Sequence, residues 1–228
     1  AVEDVDGDGQ PDILLADKRQ FVWYRNPDWK RFVVAENLTE KDNVCIAARD
    51  IDGDGRAEIA VGAGWNPSDT VNSGAVFYLQ PPDDRTQMWT PIPLHHEPVV
   101  HRMRWVRIGG PSDGNRFVLV VAPLHGRGNQ RTEGVGSRLL AYSVPEDPQQ
   151  KWVTTLLDDT MHVTHNFEVG EWNGDERSEE IVYLGKEGAR LIQFEDGQWK
   201  SASIPGVKGG GEVRLGHQRA TDSKSRFL

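Results

Sequence analysis

Cysteine is nearly missing: the 228-residue chain has one, Cys45, set in the apolar run Val44-Cys45-Ile46-Ala47-Ala48. No disulfide framework and no cysteine-pair metal site can be built from it, and a buried, inert thiol is the expectation. Long apolar runs are absent as well, so no segment reads as membrane-spanning and no membrane partner is expected; neither a leader nor a lipidation motif falls within these residues. Sustained helical periodicity is also missing. Positive charge is in deficit, with a formal net charge of −9, which argues against nucleic acid as a partner. There is no GxSxG elbow, no HExxH and no Walker loop, and Gly-Val-Lys-Gly-Gly-Gly-Glu lacks the strand-to-helix setting of a dinucleotide site. Nucleophilic serine or cysteine catalysis is thereby disfavoured.

What is abundant is punctuation. Gly (24) and Pro (13) divide many short β-branched runs, and the eight Trp suit packing between layers or stacking on sugar. Two acidic stretches are near-copies, Asp4 to Asp12 (DVDGDGQPD) and Asp50 to Glu58 (DIDGDGRAE). In each, oxygen ligands at the first, third, fifth and ninth positions can converge on one hard cation while glycines permit the turns. The sets are Asp4, Asp6, Asp8 and Asp12, then Asp50, Asp52, Asp54 and Glu58. Further along, Glu171, Asn173, Asp175 and Glu179 repeat the pattern. Four carboxylates in one turn repel unless a cation joins them, so Ca²⁺ is the expected cofactor of these loops. A strand-like run rather than a helix follows each loop, which excludes an EF-hand.

The loops start at 4, 50 and 171, and degenerate counterparts fall at 107 and 215. Spacings of that size suit four-stranded blades. The runs between them predict an inner strand, an acidic turn, a second strand, a top loop, a third strand and an outer strand per repeat. The fold expected is an all-β propeller of four-stranded antiparallel blades, about four blades' worth. The repeats are 1–42, 43–100, 101–164 and 165–210, with a partial one at 211–228, in a single domain. Two arrangements are open. The chain is part of a larger, seven-bladed ring, which is favoured, or an inner strand at 211–217 completes the first blade and closes a ring of four. Trp23, Trp89, Trp152 and Trp199 fall on third or outer strands and are expected between blades.

Blade geometry sorts the polar residues. His101 and His165 stand at the same position of successive inner strands, and the loop Pro123-Leu-His125-Gly-Arg127-Gly-Asn129 opens onto the same face. These three histidines, with Arg102 and Arg127, form the candidate catalytic set. Asn129, Asn166, Trp65 and Arg104 are candidates for holding substrate. Lys186, Glu187 and Glu212 lie further round; His162 could reach the rim, while His95, His96 and His217 read as structural. Arginine beside histidine fits an anionic sugar, the guanidinium clamping a carboxylate while imidazole moves a proton near neutral pH. A second divalent metal held by the His pair in the funnel is an alternative electrophile.

The acidic loops, each entering a strand, resemble the FG-GAP/VCBS repeats of integrin-type propellers. The rim residues His101-Arg102, Pro123 to Asn129 and His165-Asn166 resemble a subgroup of them, the aldos-2-ulose dehydratase and L-rhamnose-α-1,4-D-glucuronate lyase type. That resemblance implies a carbon–oxygen lyase acting by β-elimination on a sugar or uronate-containing glycan. The rival expectation is a non-catalytic Ca²⁺-binding propeller for carbohydrate or protein adhesion; a cofactor-holding dehydrogenase propeller is disfavoured because its Trp-docking pattern is not evident. Calcium-dependent loops imply a secreted, periplasmic or cell-surface location.

Overall fold

The computed structural model describes residues 1–110, 114–130, 132–175, 177–214, 216–217 and 226–227. Alternation of apolar and polar residues, interrupted by glycine turns, produces four antiparallel sheets of four strands. The first holds β1 (Val2–Glu3), β2 (Asp12–Ala16), β3 (Gln20–Arg25) and β4 (Lys30–Glu36). The second holds β5 (Cys45–Arg49), β6 (Glu58–Ala63), β7 (Ala75–Gln80) and β8 (Thr90–Leu94). The third holds β9 (Val100–Arg107), β10 (Phe117–Pro123), β11 (Leu139–Ser143) and β12 (Val153–Asp158). The fourth holds β13 (Thr164–Gly170), β14 (Glu180–Gly185), β15 (Gly188–Glu195) and β16 (Gln198–Ser203). Every sheet is an up-and-down meander in chain order, which is propeller-blade topology.

The sheets pack face to face in succession. One apolar layer joins the first and second through Phe21, Trp23, Val61 and Trp89. A second layer joins the next pair through Tyr78, Met103, Trp105 and Trp152, and a third joins the last pair through Val118, Phe167, Ile181 and Tyr183. Trp23, Trp89 and Trp152 lie inside these layers and Trp199 packs at the edge of the third. Trp89 and Trp152 follow one rule: each precedes its outer strand and donates its indole N–H to the carbonyl four residues earlier, Arg85 and Pro148, at 3.2 and 3.0 Å. Cys45 is buried in the second layer, and burial pushes its thiol up to about 12, so it is inert at neutral pH.

All four first strands border one cavity of about 630 Å³, lined by Glu3 of β1, Arg49 of β5, Arg104 of β9 and Glu168 of β13 among others. That shared cavity marks the axis. The predicted inner strand at 211–217 is different: among its described residues only Gly216–His217 is extended, and it pairs with Arg226–Phe227 rather than with the first sheet, whose inner position β1 fills. The Gly209-Gly210-Gly211 run favours irregular backbone there, and Val213 tucks against Leu184 instead. The four-blade closure through 211–217 is thereby set aside.

Candidate functional site

Each acidic loop links an inner strand to a second strand at the lower end of its sheet. In the first loop the Gly7 and Gly9 amides donate to the two oxygens of Asp4, at 2.8 and 2.7 Å. Gly53 and Gly55 do the same to Asp50, at 2.7 and 3.0 Å. All four glycines have φ between 82° and 85°, a conformation that residues bearing a Cβ adopt only under strain. A buried carboxylate at the first position of each second strand closes the loop: Asp12 accepts from the Val5 amide at 2.9 Å, Glu58 from Ile51 at 3.1 Å and Glu180 from Trp172 at 2.6 Å.

These turns gather oxygens. Asp4, Asp6 and Asp8 form one cluster, Asp50, Asp52 and Glu58 a second, and Glu171, Asp175 and Glu180 a third, each with carboxylate atoms within 4.8 Å of one another. Burial raises the carboxyls of Asp6, Asp12, Glu58 and Glu180, with Glu58 pushed up to about 7. Asp6 also has a buried oxygen without a hydrogen-bond partner. Crowded, desolvated oxygen donors of this kind fit a hard divalent cation.

One expected ligand is displaced. The third loop is a residue longer, so Glu180 occupies the place of Asp12 and Glu58, while Glu179 turns toward the axis. There Glu179 receives both Arg49 nitrogens at 2.7 and 2.9 Å and the Arg107 amide at 2.8 Å. Counting back from the following apolar run finds the right residue: Asp12, Glu58 and Glu180 each precede an isoleucine that continues the strand. Asp54 also stands apart, its carboxylate held by the Arg56 guanidinium at 2.6 and 3.0 Å. Asn173 donates to Glu180 at 2.9 Å.

At the upper end, His101 and His165 each sit in a β-bulge. Arg102 pairs with Ala122 and Val100 with Pro123, leaving His101 as the extra residue. Asn166 pairs with Leu184 and Thr164 with Gly185, leaving His165 extra. The bulge re-aims both rings out of their sheets and toward each other. Their centroids are 4.8 Å apart in an edge-on arrangement, and Trp65 stacks on His101 with centroids 5.1 Å apart. His101 is buried, with a relative exposure of 6%, whereas His165 is open to solvent. Burial, then the Arg102 charge, pushes the His101 imidazole down to about 3. Arg102 approaches its Nε2 at 3.1 Å, and because guanidinium only donates, Nε2 is the acceptor. His125, bridged to Val163, lies within electrostatic reach of His101. The Nδ1 atoms of His101 and His125 are buried without partners.

The remaining expected residues divide. Arg104 extends into the axial cavity and lies over the Phe167 ring at 5.9 Å. Asn166 is buried, donating to Val213 at 3.3 Å. Two residues are engaged elsewhere. Arg127 donates to the Val71 carbonyl at 2.9 Å and meets Glu97 at 3.3 Å, and Asn129 uses its whole amide on Val135, at 2.7 and 2.8 Å. Both fix the loop that carries His125 rather than projecting toward the histidines. Glu97, which also receives Arg138 at 2.6 Å, is the buried anchor that no sequence pattern indicated. His162, half-buried, joins Glu187 at 2.7 Å, Lys186 meets Glu133 at 2.8 Å, and Glu212 meets Arg214 at 2.5 Å. The side chain of His217 is outside the described residues.

Meandering four-stranded sheets, repeated acidic loops and paired histidines at one end define a β-propeller of the FG-GAP kind. FG-GAP-like repeats match residues 4–61 and an FG-GAP repeat matches 46–79. Residues 73–215, more than half of the chain, match the aldos-2-ulose dehydratase β-propeller domain, and the chain belongs to that family. It is also 23% identical over 132 residues, 56% of its length, to the aldos-2-ulose dehydratase of Phanerodontia chrysosporium. The match spans only 14% of that protein. Both resemblances read from the sequence are borne out.

Proposed function

We propose that the upper face is the active site of a carbon–oxygen lyase that performs β-elimination on a sugar or uronate-containing glycan. The observation that carries this reading is the pair of equivalent bulges that brings His101 and His165 edge to edge. In the elimination a proton leaves the carbon beside a carbonyl or carboxylate, a double bond forms, and the bond to the oxygen on the next carbon breaks. His165, exposed, takes the proton. His101 is neutral at physiological pH and its Nε2 is taken up by Arg102, so it contributes an Nδ1–H donor and a rigid wall, not an acid. His125 returns a proton to the departing oxygen, and the Arg102 N–H groups not directed at His101 face the developing oxyanion. Trp65 and Arg104 border the substrate on the blade and axial sides; Asn166 supports the bulge.

The unpartnered Nδ1 of His125 is the ring atom open to a divalent ion, which would polarise a substrate oxygen when bound. His101, whose Nε2 accepts from Arg102 and whose Nδ1 therefore carries the hydrogen, does not fit as a ligand. Ca²⁺ in the three acidic loops stabilises the blades. The domain belongs in a seven-bladed ring whose further blades lie beyond these residues, and the protein works outside the cytosol. The similarity to an aldos-2-ulose dehydratase supports a 2-keto sugar as one substrate class.

The test is incubation of the full chain with an aldos-2-ulose and with a glucuronate-terminated polysaccharide while following ultraviolet absorbance. A new conjugated double bond, lost in His165→Ala, is the expected result. Its absence with both substrates, together with no dehydrated sugar, overturns the reading. A second reading, a non-catalytic carbohydrate- or protein-binding propeller, is favoured by one observation: Arg127 and Asn129 are engaged in the loop framework. It predicts that His101→Ala and His165→Ala leave glycan binding unchanged.

A further inference from the structure

A cleft separates the loop at 66–73, from the second sheet, from the 125–130 loop of the third. Its volume is about 760 Å³, and its lining includes Ser68, Asp69, Thr70, Asn72, His125 and Gln130. A space of that size lies within the usual range for ligand pockets, roughly 300–1,000 Å³. Cross-ties make it rigid. The Gly128 amide donates to the Thr70 carbonyl at 2.9 Å, the Thr70 hydroxyl to the Asn129 carbonyl at 2.9 Å, and Arg127 to the Val71 carbonyl at 2.9 Å. Below, the Ser73 hydroxyl accepts from the Val99 amide at 3.1 Å. Neither wall can move without the other, so binding there incurs little ordering entropy.

The chemistry of the lining is specific. Among the described residues no lysine or arginine lines the cleft, and Arg127 is directed at Val71 and Glu97. Its carboxylate, Asp69, turns one oxygen to the Val71 and Asn72 amides at 3.1 and 2.9 Å. Pro67 and Val71 give the cleft an apolar part. Besides His125, its remaining polar side chains are hydroxyls and amides, of which those of Ser68, Asn72 and Gln130 can both donate and accept, as sugar hydroxyls require. An anionic ligand would meet Asp69 with no compensating lysine or arginine among the described residues. His125 belongs both to this lining and to the histidine group, so the cleft continues from the proposed reaction site.

We infer that this cleft is a subsite for an uncharged sugar residue, joined to the sugar held at His101 and His165, so that the substrate is an oligosaccharide with a neutral unit at this position. The inference rests on the carbohydrate reading above, but its test measures binding and not product. Calorimetric titration of the full chain, with Ca²⁺ present, uses neutral gluco-, manno- and galacto-configured tetrasaccharides and, as the contrast, tetragalacturonate. At least one neutral tetrasaccharide binds, and the double variant Asn72→Trp, Gln130→Trp, which fills the cleft, weakens it by about tenfold or more. Asn72 and Gln130 are exposed, and an unchanged thermal midpoint shows that the variant folds. Binding of tetragalacturonate as tight as that of every neutral probe, no binding of any neutral probe, or undiminished binding by the double variant overturns the subsite. Neutral binding without double-bond formation would leave the subsite standing and count against the lyase alone.

Discussion

A single inserted residue decides which glutamate can meet a cation in the third loop. Glu180 lies at the start of β14 with its backbone contacts matching those of Asp12 and Glu58, while Glu179 is bound to Arg49 across the axis. The two neighbours therefore separate cleanly. Glu180→Gln is expected to weaken Ca²⁺ at that loop roughly tenfold or more, through lost ligand charge. Glu179→Gln leaves that affinity intact and lowers stability by about 1–2 kcal/mol, below the value for a fully buried pair because Arg49 is 30% exposed. Calcium titration and thermal melting of both variants check this; equal loss of Ca²⁺ affinity would refute the assignment. His101 offers a second residue-level test. Its imidazole is held neutral down to about 3 in the fold, whereas in the unfolded chain it protonates below about 6.5. The unfolded state therefore binds the extra proton, and His101 erodes stability progressively as pH falls from that value. His101→Phe keeps an aromatic ring against Trp65 and removes the proton. The thermal midpoint of the variant should gain on the parent between pH 7 and pH 4, by an amount worth at most about 3 kcal/mol. A pH-independent difference would exclude this account.

At the scale of the strand, the bulges explain why two histidines at equal sequence positions meet. Thr164 hydrogen-bonds back to the Pro123 carbonyl of the preceding sheet, whereas Asn166 reaches forward to Val213. Residues two apart on a regular strand share a face, so these opposite directions require the extra residue between them. Deleting His165 should therefore leave both contacts in register and the fold intact. Deleting Phe167, fully buried in the layer between the third and fourth sheets, shifts the strand and turns its core face outward; it is expected to cost on the order of 3–5 kcal/mol or to prevent folding. Circular dichroism and urea melts of the two deletions distinguish the cases, and equal damage would count against the bulge. The sequence made the alignment of His101 with His165 legible because period and strand direction are local. It could not show the bulge, whose evidence is a pairing register with β10 and β14. Nor could it show that Arg127 answers to Glu97, a partner thirty residues away in another loop. Glycine-flanked charged tips looked free because their acceptors are set by tertiary packing.

Across the whole molecule, the acidic loops do more than gather oxygens: they join blades. The Ala57 amide of the second sheet donates to the Asp4 carbonyl of the first at 2.8 Å, and the Glu179 amide of the fourth donates to the Arg107 carbonyl of the third at 2.8 Å. A cation that fixes a loop therefore stiffens an inter-blade seam. A Ca²⁺ ion that bound the folded loops and not the dispersed carboxylates of the unfolded chain would stabilise the fold by about 2.7 kcal/mol per site at a hundredfold excess over its Kd. Removing Ca²⁺ with a chelator should lower the thermal midpoint, and Ca²⁺ should restore it better than Mg²⁺, whose strict octahedron suits these flexible acidic turns less well. The size of the loss should depend on pH. In the metal-free fold Glu58 holds its proton up to about 7, whereas in the unfolded chain it ionises near 4.5. The proton favours the metal-free fold below the lower value, and that contribution disappears as pH rises through the upper one. Calcium has the opposite dependence, since it requires the ionised carboxylate. The gap in thermal midpoint between Ca²⁺-loaded and chelated protein is therefore expected to widen from pH 5 to pH 8, and Glu58→Gln should flatten that widening. A gap that is constant with pH in the parent protein would mean that the second loop does not take up the ion.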